Sequence, residues 1–128
     1  MKVTSISEIK NTEREVHGQG FTSLRLILAK DNMGFSFHKT LIPKGPKQNW
    51  HYKNHLEACF CISGKGILTD LTSNKVYDIK PDIIYLLDNH DNHTFEALED
   101  CVLISVFNPP VIGTEIHLED GSYSLPNQ

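Results

Sequence analysis

His51, His55 and Glu57 stand close together in the chain, and His90 and His93 form a second group after an Asp88-Asn89-His90-Asp91 turn. Imidazole and carboxylate lone pairs that converge from separate strands are what a divalent cation requires. Taken singly, each of the seven histidines (17, 38, 51, 55, 90, 93 and 117) reads as an ordinary structural residue; the cluster and the pair are harder to set aside. Along Leu56 to Ser63, alternate side chains share a face. Glu57, Cys59 and Cys61 fall on one side, and Ala58, Phe60 and Ile62 on the other, where they read as packing. A carboxylate on a face shared with thiols is costly unless it is paired, protonated or bound to a metal. Tyr85 shares parity with Ile83 and Leu87 and by itself reads as a buried tyrosine with a satisfied hydroxyl. Cys59 and Cys61 read as small buried residues rather than ligands. Asp120-Gly121-Ser122 reads as a turn, since a nucleophile elbow needs glycine on both sides of its serine. Neither a phosphate-cradling loop nor a dinucleotide fingerprint is present.

The elements that would position these groups are short. Ile6 to Glu15 predicts one short helix, with Ser5 or Ser7 near its start. Strand-like runs follow at Leu24–Leu28, Gly34–Ile42, Leu56–Ser63, Gly66–Thr72, Val76–Ile79, Ile83–Leu87, His93–Ala97 and Cys101–Phe107, and Pro109-Pro110 stops the last. Gly64-Lys65-Gly66 reads as a hairpin turn, and Ser73-Asn74 as a turn. In Gly34–Ile42, Phe35 and Phe37 share one face, and Ser36, His38 and Thr40 the other. This pattern predicts an all-β double-sheet barrel of jelly-roll type, one domain over residues 1–128, with a mouth where a ligand can sit.

Composition narrows the function classes. Apolar residues make up 39% and charged residues 22%, a globular balance. The net charge of −4 with scattered lysines argues against nucleic acid as a partner. The longest apolar run, Ile83 to Leu87, is too short to cross a bilayer, and no secretory signal follows Met1. Three cysteines, two of them two positions apart, argue against a disulfide framework and for a reducing cytoplasm.

Gly45, His51, Glu57 and Gly64 stand at the spacing of the first cupin motif, but Lys53 replaces its second histidine, and Leu86 stands where the second motif expects histidine. Such a chain is either a cupin that has lost its metal or one that ligates differently. A more specific likeness runs along nearly the whole chain. His51-Tyr52-Lys53-Asn54-His55-Leu56-Glu57-Ala58, Tyr85-Leu86-Leu87-Asp88 with His90-Asp91 and His93, Val106-Phe107-Asn108-Pro109-Pro110, and Glu115-Ile116-His117 with Glu119-Asp120-Gly121-Ser122-Tyr123 resemble the ectoine synthase family in order and spacing.

That resemblance implies a dimeric cytoplasmic cupin that uses iron. It implies cyclisation of N-γ-acetyl-L-2,4-diaminobutyrate to the compatible solute ectoine with loss of water, a hydro-lyase reaction of osmoadaptation. It implies Glu57, Tyr85 and His93 as metal ligands; two oxygens and one nitrogen suit ferrous iron, and zinc also fits. It places Phe21, Ser23, Arg25, His38, Thr40, Ser105 and Phe107 around the substrate, with Tyr52, Glu115 and His117 as candidates for proton transfer. The substrate wall departs from the family pattern: the family carries Trp where Phe21 stands, Cys where Ser105 stands, Asn where His38 stands, and Gly where Asp82 stands. Two other readings remain for such a chain. One is a different metal-dependent cupin enzyme, such as a small-molecule dioxygenase, and the other is a non-catalytic cupin that binds a small solute.

Overall fold

A computed structural model of the chain describes residues 1–113 and residue 115. Ten strands dominate it: β1 (Glu15–Gly18), β2 (Phe21–Ile27), β3 (Ser36–Ile42), β4 (Gln48–His51), β5 (Leu56–Ser63), β6 (Gly66–Asp70), β7 (Val76–Ile79), β8 (Ile84–Leu87), β9 (Asn92–Ala97) and β10 (Cys101–Asn108). They form two antiparallel sheets. The larger runs β1-β2-β3-β10-β5-β8, and the smaller runs β4-β9-β6-β7. This is the double-sheet, all-β architecture that the run of short strands predicts.

The sheets face one another across a shared core, and alternation along each strand decides which side chains enter it. On β10, Cys101, Leu103, Ser105 and Phe107 are buried while the residues between them are half-buried. On β5, Glu57, Cys59 and Cys61 point inward, as parity predicts. Their opposite face differs from expectation: Ala58 and Phe60 are half-buried and Ile62 is exposed, so these residues lie outside the core on the back of the larger sheet. Aromatic contacts tie the two layers together. The Phe21 and Trp50 rings meet edge-on at 5.8 Å, and Tyr85 stacks on Phe95 at 6.5 Å.

Two further expectations change. The N-terminal helix is only α1 (Ile6–Ile9), capped by Ser5 Oγ accepting from the Glu8 amide. Only Ile9 of this helix is buried, and Asn11 turns into the left-handed region (φ 64), so the helix has no apolar face to extend and the chain enters β1 instead. Gly64-Lys65-Gly66 is not a hairpin turn: β5 and β6 belong to different sheets, and β6 pairs with β7 and β9. The crossing requires glycine. Gly64 has φ +92, and a Cβ there would lie 2.3 Å from the Asp100 carbonyl oxygen. The Ser73-Asn74 turn does join a hairpin, β6 to β7, with Asn74 at φ 60.

Candidate active site

Cross-strand register places one row of side chains across the inner face of the larger sheet. Arg25 on β2 faces His38 on β3, which faces Ser105 on β10, which faces Cys59 on β5, which faces Tyr85 on β8. Ser23, Thr40 and Leu103 form the row on one side, and Ser36, Phe107, Glu57 and Leu87 the row on the other. A run of polar and ionisable residues inside a β-sandwich is expensive unless its members satisfy one another, and much of it is satisfied. Thr40 and Ser105 share a hydroxyl hydrogen bond of 2.9 Å, and the Cys59 thiol lies 3.8 Å from Ser105 Oγ.

These rows wall a small void of about 20 Å³ lined by Phe21, Ser23, His38, Thr40, Trp50, Tyr52, Glu57, Cys59, Tyr85, Ser105 and Phe107, with Ile42 and Leu103. Every substrate-wall position expected from the sequence lies here except Arg25, together with Tyr52 and two of the three expected metal ligands. The void has room for about one water. A larger groove of about 590 Å³ opens outside, between β7 and β8, and it reaches Tyr85 and His93 but not Glu57 or the β3 and β10 rows. Hydroxyls, the Glu57 carboxyl and the Cys59 thiol converge on the inner void, Asp70, Asp78, Asp88, Asp91 and His93 line the outer groove, and Tyr85 lines both.

Burial sets the electrostatics. The Glu57 carboxyl has no ion-pair partner among the described residues. Burial raises its pKa to about 7, against the opposing effect of hydrogen bonds from the Cys59 thiol and the Ser105 hydroxyl. The Tyr85 phenol is pushed well above its usual range by burial and then by its acidic neighbours Cys59 and Glu57. The Cys59 thiol is raised likewise, by burial and then by Glu57, and it hydrogen-bonds Glu57, Tyr85 and Ser105. Carboxyl, thiol and phenol thus lie near one another in a buried setting that disfavours the charged form of each.

His93 comes from the facing sheet, where β9 pairs it with Trp50 of β4 and Asp70 of β6. It is buried, and its Nδ1 donates to the Asp91 carbonyl oxygen at 3.0 Å, which leaves Nε2 with its lone pair. That is the tautomer a metal-ligating histidine uses, with the backbone carbonyl fixing the ring. Tyr52, whose ring centroid is 6.2 Å from that of His93, bridges this histidine to the void. Among the described residues no three His, Cys, Asp or Glu side chains converge as a ready-made cage, and the expected ligand set contains only two residues of those types. A buried carboxyl without a cation, a phenol beside it and an imidazole offering Nε2 fit a divalent cation by donor chemistry.

The other expected residues have distinct places. Arg25 is fully buried behind the void lining. Its Nε donates to Ser23 Oγ and its guanidinium to the Gly113 carbonyl, both at 3.3 Å. The Glu115 carboxylate accepts the Ile112 and Gly113 amides at 2.7 and 2.8 Å, so it shapes the loop that meets Arg25. His117 lies outside the described residues. His90, paired with His93 in the sequence reading, separates from it: Nδ1 of His90 donates to the Tyr52 and His55 carbonyls at 3.0 and 3.1 Å, so it braces the β4–β5 loop. Two residues near the site differ from their sequence reading, Cys59 as a plain packing residue and His55 as a member of the His51, His55 and Glu57 cluster. Cys59 touches both expected oxygen ligands, a placement that parity with Glu57 could have signalled. His55 is buried edge-on to Phe107 and close enough to Glu115 to feel its charge.

Comparison with known proteins shows the family and the fold. The ectoine synthase family matches residues 1–127. The chain is similar to the L-ectoine synthase of Desulfosudis oleivorans, with 51% identity over 98% of each chain. It is also similar to the crystal structure of ectoine synthase from P. lautus, with TM-score 0.83 and 39% identity over 88% of this chain and 81% of that one. The Schizosaccharomyces pombe Cnp3 cupin domain, at TM-score 0.59 and 15% identity over 73% of this chain and 64% of that one, shares the fold alone. A family match over almost every residue, with relatives of this identity and coverage, establishes that the chain belongs to the ectoine synthase family.

Proposed function

We propose that this protein is a hydro-lyase that closes N-γ-acetyl-L-2,4-diaminobutyrate to ectoine with loss of water, and that the reaction takes place in the inner void between the two sheets. The observation that carries this reading is the collection of Phe21, Ser23, His38, Thr40, Tyr52, Glu57, Tyr85, Ser105 and Phe107 around one small void. In the reaction the neutral α-amine attacks the acetamide carbon, and the resulting hydroxyl leaves with a proton as water. Glu57, Tyr85 and His93 would hold a divalent cation, ferrous iron or zinc, which when bound would polarise the amide carbonyl.

The chain's own residues supply the rest. Arg25 lends positive charge to the end of the row remote from Glu57, where the substrate carboxylate belongs. Tyr52 is buried, edge-on to Phe107 at 5.2 Å, and lines the void, which suits it to pass a proton to the departing hydroxyl. Glu115 and His117 are the further candidates for proton transfer. The apolar walls of Phe21, Trp50 and Phe107 fold the substrate so that amine and carbonyl meet, and they keep bulk water from hydrolysing the product. The void is smaller than the substrate, so Phe21 and its neighbours must give way on binding.

Among the described residues no helix is long and apolar enough to cross a membrane. We place the protein in the cytoplasm as a homodimer. Support for a second copy comes from the back of the larger sheet, where Ile62 of β5 and Ile84 and Leu86 of β8 are exposed. Light scattering at micromolar protein should give twice the chain mass, and a monomeric mass would contradict the dimer.

The test of function is to incubate iron-loaded protein with N-γ-acetyl-L-2,4-diaminobutyrate while following ectoine and dissolved oxygen. Ectoine formed without oxygen consumption supports the hydro-lyase. Oxygen uptake would point to a dioxygenase, and ligand binding without turnover to a solute-binding cupin.

A further inference from the structure

His38 is buried, with 1% of its surface exposed, in the wall of the void. Its Nδ1 lies 3.1 Å from Ser23 Oγ, while its Nε2 is buried with no hydrogen-bond partner. A buried polar nitrogen without a partner costs about 1–3 kcal/mol, and its presence in a cavity wall marks a position that a ligand atom completes. Whether that atom must be a donor or an acceptor depends on which nitrogen carries the ring proton, and the neighbours decide this. Arg25 Nε, which can only donate, gives its hydrogen to Ser23 Oγ at 3.3 Å. Ser23 itself is 1% exposed, and its one hydroxyl hydrogen has the His38 Nδ1 lone pair within reach. The arrangement that satisfies all three groups is Arg25 Nε–H to Ser23 Oγ, then Ser23 Oγ–H to His38 Nδ1, with the ring proton on Nε2. The reverse tautomer would leave a serine hydrogen stranded in the core.

We propose that Ser23, held by Arg25, fixes His38 as its Nε2–H tautomer, so that His38 presents a neutral N–H donor to the substrate's carboxylate. The ring is neutral in this environment: burial, followed by the nearby Arg25 charge, lowers its pKa to about 3. Position assigns the carboxylate rather than the acetamide oxygen. β3 is two strand steps from β5 by way of β10, about 10 Å at the usual strand spacing. The acetamide belongs at the Glu57 side, and His38 stands two strands away, beside Arg25. Arg25 acts through Ser23 and His38, since it lies behind the lining and not in it. Ser23 is thus a positioning residue, and His38 a residue that selects for an acceptor group.

This inference rests on the proposed substrate for the identity of the acceptor, but not for the tautomer, so the two can fail separately. The experiment is long-range 1H–15N correlation NMR of 15N-histidine-labelled, zinc-loaded protein, with His38 identified by the signal lost in His38→Gln. Nε2 should be protonated and Nδ1 bare in the wild type, and Ser23→Ala should give a tautomer mixture. Adding ectoine, which carries the same carboxylate, should move the His38 Hε2 proton downfield. In steady-state assays Ser23→Ala should raise KM about tenfold, the loss expected for one hydrogen bond of about 1.4 kcal/mol, with a smaller fall in kcat. A protonated Nδ1 in the wild type, a charged ring, or an unchanged tautomer in Ser23→Ala would overturn the relay. Ectoine binding that shifts other void residues but leaves Hε2 in place would overturn the donor role. Failure of ectoine to bind, with the tautomer as stated, would count against the substrate and against the carboxylate assignment, while the relay itself would stand.

Discussion

Replacing Glu57 with Gln should make the metal-free protein more stable at pH 8 and change it little near pH 4.5. The folded-state pKa of Glu57 lies at about 7, above the ordinary 4.5. Between those values the folded chain keeps a proton that the unfolded chain has released, so stability is fully present below about 4.5 and is lost as pH rises through 7. The difference disfavours the ionised folded form by about 3 kcal/mol at pH 8. Gln matches the protonated carboxyl in shape and carries no charge, and it therefore escapes this loss. The wild-type profile alone would not isolate the effect. His38, lowered from 6.5 to about 3, acts in the opposite sense: its contribution is present above pH 6.5 and is lost as pH falls toward 3. The difference between variant and wild type cancels His38. Urea unfolding in chelator at closely spaced pH values should show the Gln variant gaining on the wild type by about 1.4 kcal/mol per pH unit between 4.5 and 7, then levelling off. Saturating divalent metal should reverse the order, because the carboxylate then has its countercharge. A stability difference that does not vary with pH would refute the claim that Glu57 is a buried carboxyl lacking a cation.

Other consequences follow from single positions. Asp82 has φ 75 with its amide donating to the Cys61 carbonyl at 3.0 Å; Asp82→Gly should stabilise the fold by about 1 kcal/mol by removing the left-handed penalty, read as a higher urea midpoint, and a lower midpoint would contradict this. Ser105→Cys, assayed under reducing conditions and at equal iron loading, should change turnover by less than about tenfold, or 1.4 kcal/mol of barrier. In this structure Ser105 bridges Thr40 and Cys59 without contributing charge. A rise of several orders of magnitude would mean that a thiol at this position is a reacting group.

How far the sequence could be read depended on whether strand parity or cross-strand register carried the information. Leu56–Ser63 and Val76–Ile79 appear as strands with the bounds that alternation and turn residues set. Parity alone put Glu57, Cys59 and Cys61 together on the inner face of β5. β4 escaped notice because Gln48-Asn49-Trp50-His51 has one large apolar residue and no alternation. β1 was hidden because its half-exposed residues continue the polar composition of the preceding segment. The grouping of Glu57, Tyr85 and His93 as a ligand set came from family resemblance, since nothing in spacing joins residues on β5, β8 and β9. The relay from Arg25 through Ser23 to His38 needs the β2–β3 register, which no local pattern specifies. The role of Glu115 in holding two amides of its own loop likewise depends on the path of the chain after Pro110.

On the proposed function, Glu57, Tyr85 and His93 form a metal-dependent catalytic centre inside the barrel. It is tested most directly by measuring bound iron and ectoine formation together in the wild type and in Glu57→Ala, Tyr85→Ala and His93→Ala, each confirmed as folded by circular dichroism. The expected result is that each substitution lowers bound iron and ectoine formation together. Full iron content with full turnover in Glu57→Ala would contradict the account.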